Sequence, residues 1–317
     1  MKMRFTMKVL AAAVTAVLLG VGVLSAEPLK MMTGPQGGSW YPLGGAIQNI
    51  IEKNVPGSSM IVTPGAGISN VMGVQAGKAD LGFGNSVSTV DGVYGRAPFK
   101  EKTGNVRQLA TLYFQYFHMV ALADAGIKTP ADLRGKALTT QQKGNTGEQM
   151  TRETLQVYGL GYDKMSKVSH GSYNDSVAQM KDGQAHVYTL ITTVPASSVM
   201  DLASARDIIV LEIPEDKFKA LQKINGGYDK RIIKAGSYPK QNKDVQTIGT
   251  WTHLIVSSKV PEDMVYKITK ALAQNVTALG DVVKAVKGLT VQDMATDVGV
   301  PYHPGALKYY KEAKVIK

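Results

Sequence analysis

Gly34-Pro35-Gln36-Gly37-Gly38-Ser39-Trp40-Tyr41-Pro42-Leu43-Gly44-Gly45 stands between the apolar run Leu29–Met32 and the helical-looking AIQNIIEK, Ala46 to Lys53. An apolar run, a glycine-rich turn and an amphipathic helix make the unit from which parallel α/β sheets are assembled. The turn is unusual in setting a Trp and a Tyr among glycines. Glycines let the main chain approach a ligand that a Cβ would block. The helix start just beyond offers unpaired N–H groups and the positive end of a macrodipole, which together favour an anion. Trp40 then reads either as a flat wall against the apolar part of a ligand or as core packed under the loop. Tyr41, followed by Pro42, reads as part of the helix start.

The same unit recurs along the chain. Met60–Thr63 leads into Pro64-Gly65-Ala66-Gly67-Ile68-Ser69-Asn70, and Leu81–Gly84 into NSVSTVDGVYG. Ile68, Val71 and Met72 follow helical spacing, with Gly77 as the expected C-cap. The rhythm then changes: Gln108–Tyr113 and Met119–Asp124 read as two extended runs separated by FQYFH. Alternation restarts with Ala137–Thr140 before Lys143-Gly144-Asn145-Thr146-Gly147, and Lys167–His170 before SYNDSVAQMKDG. In the latter, Ser172 and Asp175 have capping-box spacing and Gly183 closes the helix. His186–Ile191 and Ile208–Ile213 are the next apolar runs, and a polar stretch, Lys234–Asn242, precedes an extended run at Thr247–Ser257. Pro261 opens a last long helix with Val265, Ile268, Leu272, Val276 and Leu279 on one face. Two α/β blocks joined by extended runs near 115–123 and 247–257 predict a two-lobed α/β protein, its last helices returning to the first lobe. Ligands of parallel sheets gather beyond the carboxyl ends of the strands, so the three glycine-bearing loops are expected to meet in a cleft between the lobes.

Composition narrows the class. Lys2, Arg4 and Lys8 precede the uncharged apolar run Val9–Leu24, and Leu24-Ser25-Ala26 supplies small residues before Glu27. That is the pattern of a secretory signal peptide, residues 1–26. The rival, an uncleaved anchor, is disfavoured because the run is shorter than the roughly 20 residues of a bilayer span. With no cysteine in the chain there is no lipoprotein anchor, disulfide framework or thiolate chemistry. Taking the three leader cations from 36 basic residues leaves 33 against 25 acidic, a net charge of +8. The lysines are scattered, without a block alternating with aromatics, so a solvated basic surface is expected and no nucleic-acid partner.

No nucleotide-binding fingerprint is found: no G-x-x-x-x-G-K-[ST], and no G-x-G-x-x-G with the acidic residue that should follow it. None of His118, His170, His186, His253 and His303 has metal-ligand spacing, and no serine sits in a G-x-S-x-G elbow. No cofactor, metal or catalytic group is therefore expected, and the chain is not read as an enzyme. His118 and His253 fall on the crossover runs, where structural histidines are favoured over cleft ligands. Capping and exposure account for Glu148 and Asp91.

Taken in order, GPQGGSWYPLGGAI, PGAGISNV with GKADLGFGNS, ADLRGKAL, SYNDSVAQMKDG, VPEDMVYKITKAL and YHPGALKYYKE resemble the TAXI family, the TRAP-associated extracytoplasmic immunogenic proteins. The resemblance runs through nearly the whole chain after the leader. It implies a periplasmic-binding-protein fold of the type II-like class with two hinge-crossing strands, lobe I from 27–118 and 250–317 and lobe II from 119–249. It also implies a periplasmic receptor that closes on a small carboxylate (glutamate, glutamine or 2-oxoglutarate) and delivers it to an integral-membrane TRAP permease, with a fused permease subunit expected. By the resemblance, ligand contacts fall on Gly38, Ser39, Trp40 and Tyr41, on Gly67, Ser69 and Asn70, on Asn85 and Ser86, and on Asn145, Thr146 and Gly147. Arg96 and Arg152 are further candidates. The second-lobe loop departs from a Gly-Ser-Gly-Thr-like run, and His186-Val187 stand where relatives carry Asp-Ala. Service to an ABC importer and a host-contact surface role are the alternatives.

Overall fold

The computed structural model describes residues 27–36 and 38–317. The leader expected over 1–26 lies outside the described residues.

The first three units are as the sequence predicts: β1 (Leu29–Met32), α1 (Trp40–Asn54), β2 (Met60–Thr63), α2 (Gly67–Gln75), β3 (Leu81–Asn85) and α3 (Ser86–Tyr94). Next comes β4 (Val106–Leu122), followed by β5 (Ala137–Gln141), α4 (Thr146–Val157), β6 (Lys167–Gly171), α5 (Tyr173–Lys181), β7 (Val187–Thr192), α6 (Ser197–Ala205), β8 (Ile208–Val210) and α7 (Glu215–Ile224). The chain closes with β9 (Asp229–Ile233), β10 (Val245–Ser257), α8 (Glu262–Gln274), α9 (Val276–Val282), α10 (Val291–Met294) and α11 (Pro304–Glu312).

All ten strands belong to one mixed sheet, in the order β2-β1-β3-β10-β4-β7-β5-β6, with β8 beside β4 and β9 beside β10. Strands β1, β2 and β3 pair in parallel at one end, and β5, β6 and β7 in parallel at the other. Two long antiparallel strands join these sets. The 17 residues of β4 span roughly 55 Å at about 3.3 Å each, more than one small sheet requires. Its first part pairs with β10 and its last part with β7 and β8. Strand β10 likewise pairs with β9 near its start and β3 near its end. These are the two crossing strands, and the expected lobe limits, 118/119 and 249/250, fall inside them. Gly249 lets them cross closely, because a Cβ there would run into the ring of Phe114 and the carbonyl of Gln115.

Three expectations need correction. The runs 108–113 and 119–124 are one strand: FQYFH contains no glycine or proline, and its aromatics suit an extended backbone. The polar stretch at 234–242 is preceded by a strand, β9, hidden by the charges of Asp229, Lys230 and Arg231. The last long helix stops at Asn275, which leaves helical geometry with φ −122° and ψ 23°. Its apolar face survives the break, since Val265, Ile268, Leu272 and Leu279 are all fully buried. Each such side chain contributes about 1.5–3 kcal/mol relative to exposure.

Ser172 and Asp175 form the expected capping box, and Gly77 and Gly183 end their helices in the left-handed region. One large apolar cluster combines residues of β1, α1, β3 and the first part of β4 with α8 to α11. Two others draw almost wholly on residues 117–248. No helix among the described residues is long and apolar enough to cross a membrane.

Candidate functional site

The starts of α1, α3, α4 and α5 converge where the two parallel strand sets face each other. Between them lies a narrow cleft of about 300 Å³, its open mouth included. The loop after β1 supplies Gly34, Pro35, Gly38, Ser39 and Trp40, and the crossing region supplies Asn85 and Gln115. The opposite wall is Gln141, Asn145, Tyr173 and Ile191. No acidic or basic side chain is among these lining residues.

The walls are built differently. At α1, Ser39 occupies the N-cap position but makes no capping bond; its hydroxyl lies 2.8 Å from that of Tyr113. Burial pushes the Tyr113 phenol up to about 12, so it stays neutral and a donor. At α3, Asn85 also makes no cap and instead donates from Nδ2 to Gln115 Oε1 at 2.9 Å. Across the cleft, Asn145 Oδ1 caps α4 by accepting from the Gly147 N–H at 3.1 Å, and Ser172 caps α5. The start of α1 is thus left without a side-chain cap, a setting that favours a ligand oxygen, whereas at α3 the Val87 N–H donates to the Thr250 hydroxyl at 3.2 Å. Gln141 and Tyr173 satisfy each other: Gln141 Nε2 donates to the Tyr173 hydroxyl at 2.8 Å, and that hydroxyl donates to the Ile191 carbonyl at 3.1 Å.

Trp40 serves both of its readings. Its ring stacks on Phe83 at 5.2 Å and Nε1–H donates to Thr252 at 3.2 Å, yet the residue is also among those lining the cleft. Of the twelve residues singled out from sequence, Gly38, Ser39, Trp40, Asn85 and Asn145 line the cleft together. Gly67, Ser69, Thr146 and Gly147 meet beside it. The Ser69 N–H donates to the Gly144 carbonyl at 3.2 Å, and the hydroxyls of Ser88 and Thr146 lie 2.9 Å apart. A Cβ on Gly67 would collide with Thr146 Oγ1.

The remaining three sit elsewhere. Tyr41 is exposed. Asn70 is fully buried and fastens strand ends, donating from Nδ2 to the carbonyls of Thr33 at 2.7 Å and Phe83 at 2.9 Å and accepting from the Ala66 N–H. Ser86 bonds Thr250 at 2.7 Å and the Trp251 N–H at 3.1 Å, tying α3 to β10.

Gln115, Gln141 and Tyr173 were not singled out. Gln141 ends a buried strand as Asn85 does, and Tyr173 follows a capping serine, so both carried a positional signal. Gln115 was concealed in the stretch read as a break.

Neither crossover histidine reaches the cleft. His118 accepts from the Tyr238 hydroxyl at Nε2, 2.7 Å, and donates from Nδ1 to the Tyr116 carbonyl, 3.0 Å. Burial lowers its pKa to about 4, and that of His253 to about 3; both are neutral. Arg96 and Arg152 line a second hollow. There Arg96 pairs with Asp91 at 2.7 Å and Arg152 with Glu148 at 3.0 Å. Asp91 Oδ2 also accepts from Gln149 at 2.9 Å and Asn225 at 2.8 Å, joining α3 to the far side of the seam. Asp91 and Glu148 are buried, not exposed as expected from sequence, and burial raises the pKa of both Asp91 and Glu153.

A mixed α/β sheet with two crossing strands and a cleft between facing helix starts defines the periplasmic-binding-protein fold. The chain belongs to the NMT1-like family, which matches residues 31–313. Similar solved structures include PhnD1 from Prochlorococcus marinus in complex with methylphosphonate, 12% identical, covering 91% of this chain and 98% of that one at a TM-score of 0.59. XAC2383 from Xanthomonas citri, bound to chloride, is 13% identical and covers 90% and 96% at 0.51. A structure described as a periplasmic transporter is 16% identical and covers 90% and 92% at 0.54.

Proposed function

We propose that the protein is an extracytoplasmic solute receptor, the TAXI-type component of a TRAP secondary transporter, and that it captures a small carboxylate by hinge closure. One observation carries this reading: a cleft without charged side chains in which the uncapped start of α1 and the amides of Asn85 and Gln115 face those of Gln141 and Asn145. Such a cleft can hold an anion through N–H donors alone, each charge-assisted bond contributing about 1.5–3 kcal/mol. Several together suffice for micromolar affinity. In this reading residues 27–118 and 250–317 move as lobe I and 119–249 as lobe II, β4 and β10 acting as hinges. The solute binds one lobe, and contacts to the other stabilise the closed form. In this reading the receptor works in the periplasm, with a fused TRAP permease as its membrane partner.

A thermal-shift screen against carboxylates, amino acids and sugars tests the receptor role. A solute at a hundred times its Kd adds about 2.7 kcal/mol of stability; no shift with any compound would overturn it. Uptake that survives ATP depletion but stops when the ion gradient is collapsed separates a TRAP permease from an ABC importer.

A further inference from the structure

We infer that the cleft selects a carboxylate that bears no ammonium group, with Asn145 as the residue that sets this preference. The inference rests on the solute-receptor reading above. A buried ammonium needs a counter-charge or it stays desolvated and unpaired, and the cleft supplies none among the described residues. The carboxylates nearest in sequence to its walls are already engaged: Asp175, two residues beyond Tyr173, accepts from the Ser172 N–H at 3.0 Å and its hydroxyl at 2.7 Å. Asp91 holds Arg96, Gln149 and Asn225, and Glu148 accepts from Arg152 and from the Tyr162 hydroxyl, both at 3.0 Å.

The groups left over favour oxygen acceptors. Asn145 is nearly buried and spends Oδ1 on the Gly147 N–H, so its Nδ2 hydrogens have no acceptor among the described residues. It borders both the cleft and the hollow at its mouth. The Asn85–Gln115 pair, joined by one hydrogen bond between their amides, leaves three N–H hydrogens and one carbonyl whichever way the two amides are turned. Ser39 and Tyr113 share one contact and keep one hydroxyl hydrogen over. Gln141 uses both ends, on Tyr173 and on the Ile191 N–H. The balance is donors in excess with no negative charge. A 2-oxo acid presents acceptor oxygens at both its carboxylate and the adjacent carbon, whereas its amino-acid counterpart presents a cation at that carbon.

Calorimetric titration with matched pairs tests this: pyruvate against alanine, oxaloacetate against aspartate, 2-oxoglutarate against glutamate, 2-oxoisocaproate against leucine. The expected result is at least a hundredfold tighter binding of the oxo acid in the pair that binds. An amino acid binding as tightly as its oxo partner overturns the inference and leaves the receptor reading standing. A solute other than a carboxylate overturns the inference and the carboxylate assignment together, and no binding by any compound overturns both readings. Asn145→Asp provides the second arm. It retains the cap on α4, because aspartate caps as well as asparagine, and replaces the spare donor with a negative oxygen. The oxo acid should bind at least tenfold more weakly and the amino acid more tightly. An unchanged ratio, with the variant folded, would show that Asn145 does not set the preference.

Discussion

Gly67→Ala tests hinge closure most directly. Gly67 opens α2, its φ lies outside the left-handed region, and the added methyl would meet Thr146 Oγ1 across the seam and stand 2.9 Å from Asn85 Oδ1. The two sides touch there through the Ser69 N–H to Gly144 bond and the Ser88–Thr146 hydroxyl pair. Forcing them apart removes two hydrogen bonds at about 1 kcal/mol each, with some loss of packing. The closed form should lose about 2–3 kcal/mol, and because binding draws on closure, the Kd should rise about 30- to 150-fold. Folding should not suffer, since alanine is favoured over glycine in a helix by up to about 1 kcal/mol. The assay is calorimetry with the tightest-binding carboxylate, beside small-angle scattering of the free protein, where the variant should be the more extended. Gly45→Ala is the control, having nothing within 4 Å of an added Cβ. A Gly67→Ala affinity within threefold of the parent, with unchanged scattering, would refute the claim that this seam closes on the solute.

The two buried histidines make stability depend on acid. Their folded-state values, about 4 for His118 and about 3 for His253, lie below the ordinary 6.5. The unfolded chain therefore takes up protons first, and stability present above pH 6.5 is lost as pH falls towards 4, on the order of 5 kcal/mol for the pair. Asp91 and Glu153, with raised values, act in the opposite direction; a melting temperature that holds steady or rises from pH 6.5 to 4 would contradict the neutral, buried assignment of the histidines. Asn70→Ala should cost about 2–4 kcal/mol in urea unfolding, because it strands the carbonyls of Thr33 and Phe83 and the Ala66 N–H; a loss below 1 kcal/mol would show that these bonds are dispensable. Asp91→Ala strands one hydrogen of each of the buried Gln149 and Asn225 amides, which keep only Glu153 and the Val87 carbonyl as acceptors, so hydrogen exchange should quicken over 86–94 and 146–157, and unchanged protection there would remove Asp91 from the seam.

The architecture was legible because its signals are local. Apolar runs ending in glycine-bearing turns gave the strand–helix units, and spacing alone placed the Ser172–Asp175 box. The crossing strands were only partly legible: Gly249 marks a close approach whose partner, Phe114, lies far away in sequence, and nothing near FQYFH shows that both of its flanks continue one strand. The site was split for the same reason. Ser39, Asn85 and Asn145 stand at loop–helix junctions and announce themselves, whereas Gln115 points inward from mid-strand. Asn70, at an equally prominent junction, spends its side chain on neighbouring carbonyls, and a sequence does not show where an amide's hydrogens go.

The apolar cluster that unites β1, α1 and β3 with α8 to α11 has a consequence for how the molecule comes into being. Half of its members lie before residue 114 and the others after residue 253, so the segment made first has no finished interior until the segment made last arrives. The stretch between them holds its own clusters and is free to condense earlier. During synthesis, then, this one cluster is completed only once the closing helices have been made.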